Sequence, residues 1–215
     1  VAALKEGRLP WAIADEYAAL VHAFKTGDHE DVLRHAGHLS HYVSDATMPL
    51  HATANYKGQK TGNVIFDTPD DPNRHVHVRF EIGMIDANIA DITKRLAAGR
   101  GKAHEIGDPA SEGLALAKVA YTHAGAVLQA DKNLLKPGGQ VNDAYFAGMY
   151  KRVGDVAVGQ MVLAAGEVAS FWRSAWAAAG KPSLPKAEVP LSKPPLTFDE
   201  AKAVRAARIL QESAK

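Results

Sequence analysis

Residues 41–51 read His-Tyr-Val-Ser-Asp-Ala-Thr-Met-Pro-Leu-His, and residues 77–81 read His-Val-Arg-Phe-Glu. In each stretch a histidine and a carboxylate stand four residues apart, which places both side chains on one face of a helix. Imidazole and carboxylate groups are ligands that divalent metals such as zinc accept. Pro49 ends the first helix, because proline lacks the amide hydrogen and crowds the preceding turn. The pattern therefore predicts two helices that share a metal centre, with His51 on the turn after the first helix.

The alternative interpretation is a set of solvated ion pairs on helix surfaces, which are common at this spacing. The chain contains 10 histidines, so one such pair is expected by chance. Two pairs together with His51, which follows a Pro-Leu turn, are much harder to obtain by accident. We therefore favour the metal site.

Most of the chain is predicted to be helical, and no strand pattern longer than a few residues is evident. Apolar residues recur at helical spacing in the ranges 11–26, 30–47, 75–98, 111–132 and 142–180. Turn-forming residues fill 52–74 and predict a long loop between the two ligand clusters. Tyr56 and Asn63 lie in this loop near His51 and are candidates for substrate contact. The fold class is all-α.

The domain organisation follows from the proline content near the end of the chain. Residues 1–182 are predicted to form a single multi-helix domain, since a chain of this length can bury one sizeable core. Residues 183–215 are predicted to be separate from it. They begin as a Pro-rich extended segment and end in a C-terminal helix over 198–213, capped by Thr197.

The amino-acid composition limits the kinds of partner that the chain is expected to bind. The formal net charge is +1, so no basic surface indicates a stable nucleic-acid partner. No apolar run approaches the ~20 residues that a membrane-spanning helix needs. The chain contains no cysteine, so its redox compartment cannot be read from disulfide spacing.

Residues 41–51 resemble the central motif of the superfamily that unites bacterial zinc-dependent phospholipase C with the single-strand-specific zinc nucleases. That motif is His, three residues, Asp, five residues and His, with Pro-Leu before the last His. Residues 77–81 are similar to its second element, and Glu81 is more typical of the phospholipase branch. Similarity also covers 154–180, and in total most of residues 7–182. The resemblance implies an all-α fold, a cluster of up to three zinc ions and hydrolysis of phosphoesters.

Carried over residue by residue, the resemblance implies that His51, His77 and Glu81 bind one zinc, with water completing the site. Three protein ligands and an open position are typical of a catalytic zinc. It also implies that His41 and Asp45 hold a second zinc, with Asp45 bridging to a third as part of the catalytic centre. It further implies a secreted or periplasmic location.

The chain departs from the family upstream of this motif. The family takes its other ligands from an N-terminal Trp, a nearby His, and a further Asp and His, whereas this chain begins at Val1 and has Trp11 inside it. We expect that the chain is the C-terminal part of a longer precursor, whose upstream segment would supply those ligands. Alternatively, His38, His35 or His22 fill the gaps.

The function expected on this basis is zinc-dependent hydrolysis of phosphoesters, in the manner of a phospholipase C-like phosphodiesterase in which metal-activated water is the nucleophile. One alternative is a zinc nuclease or 3′-nucleotidase that acts on single-stranded nucleic acid. Another is a non-catalytic zinc-binding scaffold, because only the site of His51, His77 and Glu81 is complete in this chain. For the same reason we expect the chain alone to hydrolyse an activated phosphodiester weakly or not at all.

Overall fold

The computed structural model describes residues 7–58, 60, 75–99, 101–135 and 140–184. Every regular element in these ranges is a helix, and none is a strand, which confirms the all-α prediction for this part of the chain. The specific type of fold, that of phospholipase C and the zinc nucleases, stays a prediction. The helices are α1 Leu9–Thr26, α2 His29–Thr47, α3 Val76–Val78, α4 Met84–Ala87, α5 Ile89–Ala98, α6 Pro109–Leu134 and α7 Asp143–Ala178.

The helix boundaries follow from capping residues in the sequence. Gly27 ends α1 in the left-handed conformation, with φ of 72°, which glycine adopts without steric cost. Asp28 then caps α2 by accepting a hydrogen bond from the Asp31 amide at 3.0 Å. Asn142 caps α7 in the same way through the amide of Tyr145. Local chemistry thus places the long helices within one or two residues of their predicted limits.

The core has two parts, and α7 contributes to both. Its first half packs Met149 and Val153 against Leu50, Phe80 and other residues next to the predicted metal ligands. Its second half packs Phe171 and Ala175 against apolar side chains of α1 and α2. Because α7 continues without interruption from Asp143 to Ala178, it connects the two parts of the core.

The segment 75–98 is not the single helix that its periodicity predicts. A π-helical turn, Arg79–Gly83, separates α3 from α4, and Asn88 separates α4 from α5. The Asn88 side chain donates a hydrogen bond to the Met84 carbonyl at 2.8 Å, so it competes with the backbone at the point where the helix is interrupted. Isolated π-helical turns occur often at functional sites, and this one carries Glu81.

Several predictions concern parts of the chain outside the described residues. They are Asn63 as a substrate contact, the C-terminal helix over 198–213, and all but the first residues of the 183–215 segment. Within the described ranges, no helix combines the length and the apolar character needed to cross a bilayer.

Candidate metal centre

Three predicted ligands come from three short elements that meet at one place. His51 lies on the 3₁₀ turn Pro49–Ala52, which follows α2 because Pro49 prevents the helix from continuing. His77 lies on α3, and Glu81 lies on the π-helical turn that follows it. The buried side chains of Leu50, Val76 and Phe80 alternate with these ligands and hold the elements against the core.

The ligand atoms of this triad, His51, His77 and Glu81, are close enough to share one ion. Nε2 of His77 lies 2.7 Å from Oε2 of Glu81 and 3.1 Å from Nε2 of His51. Nε2 of His51 lies 3.7 Å from the same Glu81 oxygen. A circle through the three atoms has a radius of about 1.9 Å, which is close to the length of a metal–ligand bond. The donors therefore fit a single divalent metal ion.

Asp45 lies beside the triad rather than at its centre. Its Oδ1 is 3.3 Å from Nδ1 of His51, and its Oδ2 is 3.4 Å from Nε2 of His41. The structure therefore brings all five predicted ligands close together, with His51 next to Asp45 on one side and to His77 and Glu81 on the other. His41 is the most exposed of the five, with 69% of its side chain accessible.

The charges of the site stabilise one another. A hydrogen bond to Asp45, and then one to Glu81, raises the pKa of His51 to about 9, although burial acts in the opposite direction. Burial raises the pKa of Glu81, but hydrogen bonds to His51 and His77 outweigh it and hold that pKa well below its usual range. Without a metal, His51 is therefore a cation at neutral pH, held between two carboxylates.

A buried ion pair anchors the turn that carries the ligands. Arg79 stands between His77 and Glu81 in the sequence, and its guanidinium is fully buried. It donates two hydrogen bonds to Asp131 of α6, from Nε at 2.9 Å and from Nη2 at 2.8 Å. The Tyr145 hydroxyl of α7 donates to the same carboxylate at 2.5 Å. Arg79 thus connects the turn that carries His77 and Glu81 to α6 and α7, the two longest helices in the described part of the chain.

The surroundings of the triad differ on its two sides. The ring of Tyr56 meets the ring of His77 edge to face, with 5.8 Å between the centroids, so this predicted substrate contact does adjoin the triad. On the other side, Asp45 and Glu81 line a cavity of about 390 Å³, together with apolar side chains that include Phe80, Met161 and Val168. An apolar group of moderate size can therefore bind directly beside the two carboxylates.

Two of the three histidines considered as replacements for upstream ligands, His35 and His38, have another neighbour. Nδ1 of His35 lies 2.7 Å from Oε2 of Glu16 on α1, and Nδ1 of His38 lies 3.3 Å from Oε1. These three side chains form a separate group that could also hold a metal ion. The spacing of His35 and His38 on one helix face is visible in the sequence, whereas the identity of Glu16 as their partner depends on how α1 packs on α2.

A further group of possible ligands consists of His104, Glu112 and Glu167. No periodic signal connects these positions, because Glu112 and Glu167 are separated by most of α6 and the first two-thirds of α7.

Comparisons with known proteins leave the family open. No family model matches the chain, and no solved structure matches it. The chain is 28% identical over 193 residues to a probable serine protease of Bradyrhizobium tropiciagri. The similarity covers 80% of this chain but 24% of that protein, so the chain spans about a quarter of its relative's length.

Proposed function

We propose that this chain is the metal-binding part of a zinc-dependent hydrolase of phosphoesters, acting as a phospholipase C-like phosphodiesterase. The observation that carries the proposal is the convergence of His51, His77 and Glu81 on one point. These three residues would hold the zinc ion, and three protein ligands are typical of a catalytic rather than a structural zinc site.

A zinc ion with three protein ligands supplies a Lewis acid and lowers the pKa of bound water toward neutrality, which is the chemistry that phosphoester hydrolysis needs. The chain's own residues would prepare that site. Asp45 accepts a hydrogen bond from Nδ1 of His51, which leaves Nε2 as the atom directed at the metal. Arg79 holds the turn between His77 and Glu81 in place.

The apolar cavity supports the proposal that the substrate is a phosphodiester with an apolar group. Asp45 and Glu81 lie at the edge of this cavity, and most of its remaining lining is apolar. A phosphate near the triad would place one of its substituents against Phe80 and Met161. This arrangement favours the phospholipase C-like function over the nucleotidase alternative, which would recognise a polar group.

The probable serine protease to which the chain is similar is a hydrolase by name, in line with hydrolysis in general. A serine nucleophile receives little support from the described residues. Oγ of Ser170 lies 3.3 Å from Nδ1 of His104, but Ser170 is completely buried and its hydroxyl donates to the Gly166 carbonyl at 2.8 Å. A substrate could not reach that oxygen without a change in packing.

The proposal is tested by measuring bound zinc and hydrolysis of bis(p-nitrophenyl) phosphate on the same samples. His77→Ala is expected to lower the zinc content by one ion per chain and to remove the zinc-dependent hydrolysis. His29→Ala is the matched control, because His29 is an exposed histidine at the start of α2 outside the groups of possible ligands. Unchanged zinc content in His77→Ala would refute the proposed centre.

The non-catalytic scaffold predicts a different outcome of the same experiment. In that case zinc binds and His77→Ala removes one ion per chain, but no hydrolysis is detected with any form of the protein. Since we expect this chain alone to hydrolyse the substrate weakly or not at all, the comparison should include a longer form that would supply further ligands. Hydrolysis that increases in the longer form and is abolished by chelation would support the enzyme.

A further inference from the structure

A second group of possible metal ligands lies away from the proposed zinc centre, where three elements meet. His104 belongs to the segment 101–108 between α5 and α6, Glu112 lies in the first turn of α6, and Glu167 lies on α7. One ligand atom from each residue lies within 4.8 Å of the others.

Backbone contacts fix the position of His104. Its amide donates to Oγ of Ser170 at 3.0 Å, and the amide of Ile106 donates to Oγ of Ser174, one turn further along α7, at 2.9 Å. Gly101 packs directly on Gly166, where a β-carbon on Gly101 would stand 2.5 Å from the Gly166 α-carbon. The segment thus lies along α7 in one defined register, so the ligand group is preorganised.

Neither carboxylate of this group lies within hydrogen-bonding distance of His104. Oε2 of Glu112 lies 3.9 Å from Nε2 of His104, and Oε1 of Glu167 lies 3.8 Å from Nδ1. Both separations exceed the 2.7–3.2 Å of an ordinary N–H···O hydrogen bond. Neither carboxylate is therefore hydrogen-bonded to His104, and one ring nitrogen could bind a cation together with the two carboxylates.

The decisive observation concerns Glu167. Its relative exposure is 6%, and its Oε2 is buried without a hydrogen-bond partner among the described residues. A buried carboxylate oxygen with no partner is costly, and native proteins rarely leave one. Glu16 differs from Glu167 in this respect, because each of its carboxylate oxygens lies near a histidine nitrogen, at 2.7 and 3.3 Å.

An ion could reach this group from solvent. The side chain of His104 is 45% exposed, and His104 lines a surface cavity of about 750 Å³ together with Tyr17 and Trp176. One imidazole and two carboxylates combine the donors preferred by zinc with those preferred by manganese.

We propose that His104, Glu112 and Glu167 form a second metal site, which binds a divalent transition ion of the Zn²⁺ or Mn²⁺ class. The ion would join the segment 101–108 to the start of α6 and to α7. This site shares no residue with the triad of His51, His77 and Glu81, so it does not depend on the proposed function.

The test removes the first centre and asks whether an ion remains. The background variant is His77→Ala, equilibrated with Zn²⁺, freed of excess metal by gel filtration and analysed for zinc. We expect one zinc per chain in this background and none after Glu167→Gln is added, because the amide cannot replace an anionic ligand. Adding Glu16→Gln instead is the matched control and should leave the zinc in place.

Glu167→Gln preserves the shape of the side chain, and circular dichroism will show whether the variant folds. His104→Ala, at a half-exposed position, provides a second variant that should also lose the ion. Mn²⁺ added to the His77→Ala background should broaden the NMR signals of the His104 ring selectively.

Three results would overturn the proposal. They are a His77→Ala background that holds no zinc, zinc that persists after Glu167→Gln, and zinc that is lost only with Glu16→Gln. Failure of the first centre is recognised separately, since wild type and His77→Ala would then bind the same number of ions.

Discussion

Oδ1 of Asp45 lies 3.3 Å from Nδ1 of His51, while the opposite nitrogen of the same ring, Nε2, lies 3.1 Å from Nε2 of His77. One imidazole therefore connects a carboxylate on α2 to the proposed metal position. This is the arrangement in which an outer carboxylate fixes the tautomer and orientation of a metal-binding histidine. It assigns Asp45 a positioning role beside the bridging role that the family resemblance implies.

The two roles of Asp45 are separated by Asp45→Asn. As a positioning residue, Asp45 should raise zinc affinity, so the variant should bind zinc about 10–100-fold more weakly but reach the same stoichiometry at saturation. Competition with a chromophoric chelator gives the affinity, and Glu30→Gln on the exposed face of α2 is the control. A loss of one bound ion at saturating zinc would instead identify Asp45 as a direct ligand.

The raised pKa of His51 predicts that metal binding depends on pH. Since His51 has a pKa of about 9 in the metal-free chain, an incoming ion must displace its proton. Apparent zinc affinity at the triad should therefore rise by about tenfold per pH unit between pH 7 and 9 and level off above that range. Titrations against a chelator of known pH dependence measure this. Levelling off near pH 6.5 would contradict the prediction.

The buried pair of Arg79 and Asp131 predicts a large effect on stability. Asp131→Ala would remove the Asp131 carboxylate from the buried Arg79 guanidinium, which costs about 3–5 kcal/mol of unfolding free energy. Tyr145→Phe removes one hydrogen bond to the same carboxylate and should cost about 1–2 kcal/mol. Urea unfolding in the presence of chelator measures both. Equal losses in the two variants would contradict the larger contribution expected of the ion pair.

The cavity beside Glu81 predicts a selective effect on substrate binding. Ala165 lines it from an exposed position on α7, so Ala165→Phe should fill part of the cavity without disturbing the core. We expect a higher KM for phosphodiesters with a bulky apolar group and unchanged zinc content. A small substrate such as methyl p-nitrophenyl phosphate is the control. The same change in KM for both substrates would argue against a role of the cavity in recognition.

The sequence alone determined the helical class, the approximate limits of the long helices, and which three residues form the triad. These properties follow from local chemistry. Asp28 and Asn142 cap helices through their own side chains, Pro49 ends α2, and His77 and Glu81 share a face because they are four residues apart. Such signals act within a few residues and can be read without knowledge of the fold.

The tertiary structure alone decided which distant residues meet. It brought His51 between Asp45 and His77. It also paired His35 and His38 with Glu16 and brought Glu167 of α7 close to His104. It also interrupted the helix over 75–98, where the buried Arg79 reaches Asp131 of α6. Contacts of this kind depend on how whole helices pack and on which buried charges must find partners, and these conditions are satisfied only by the complete core.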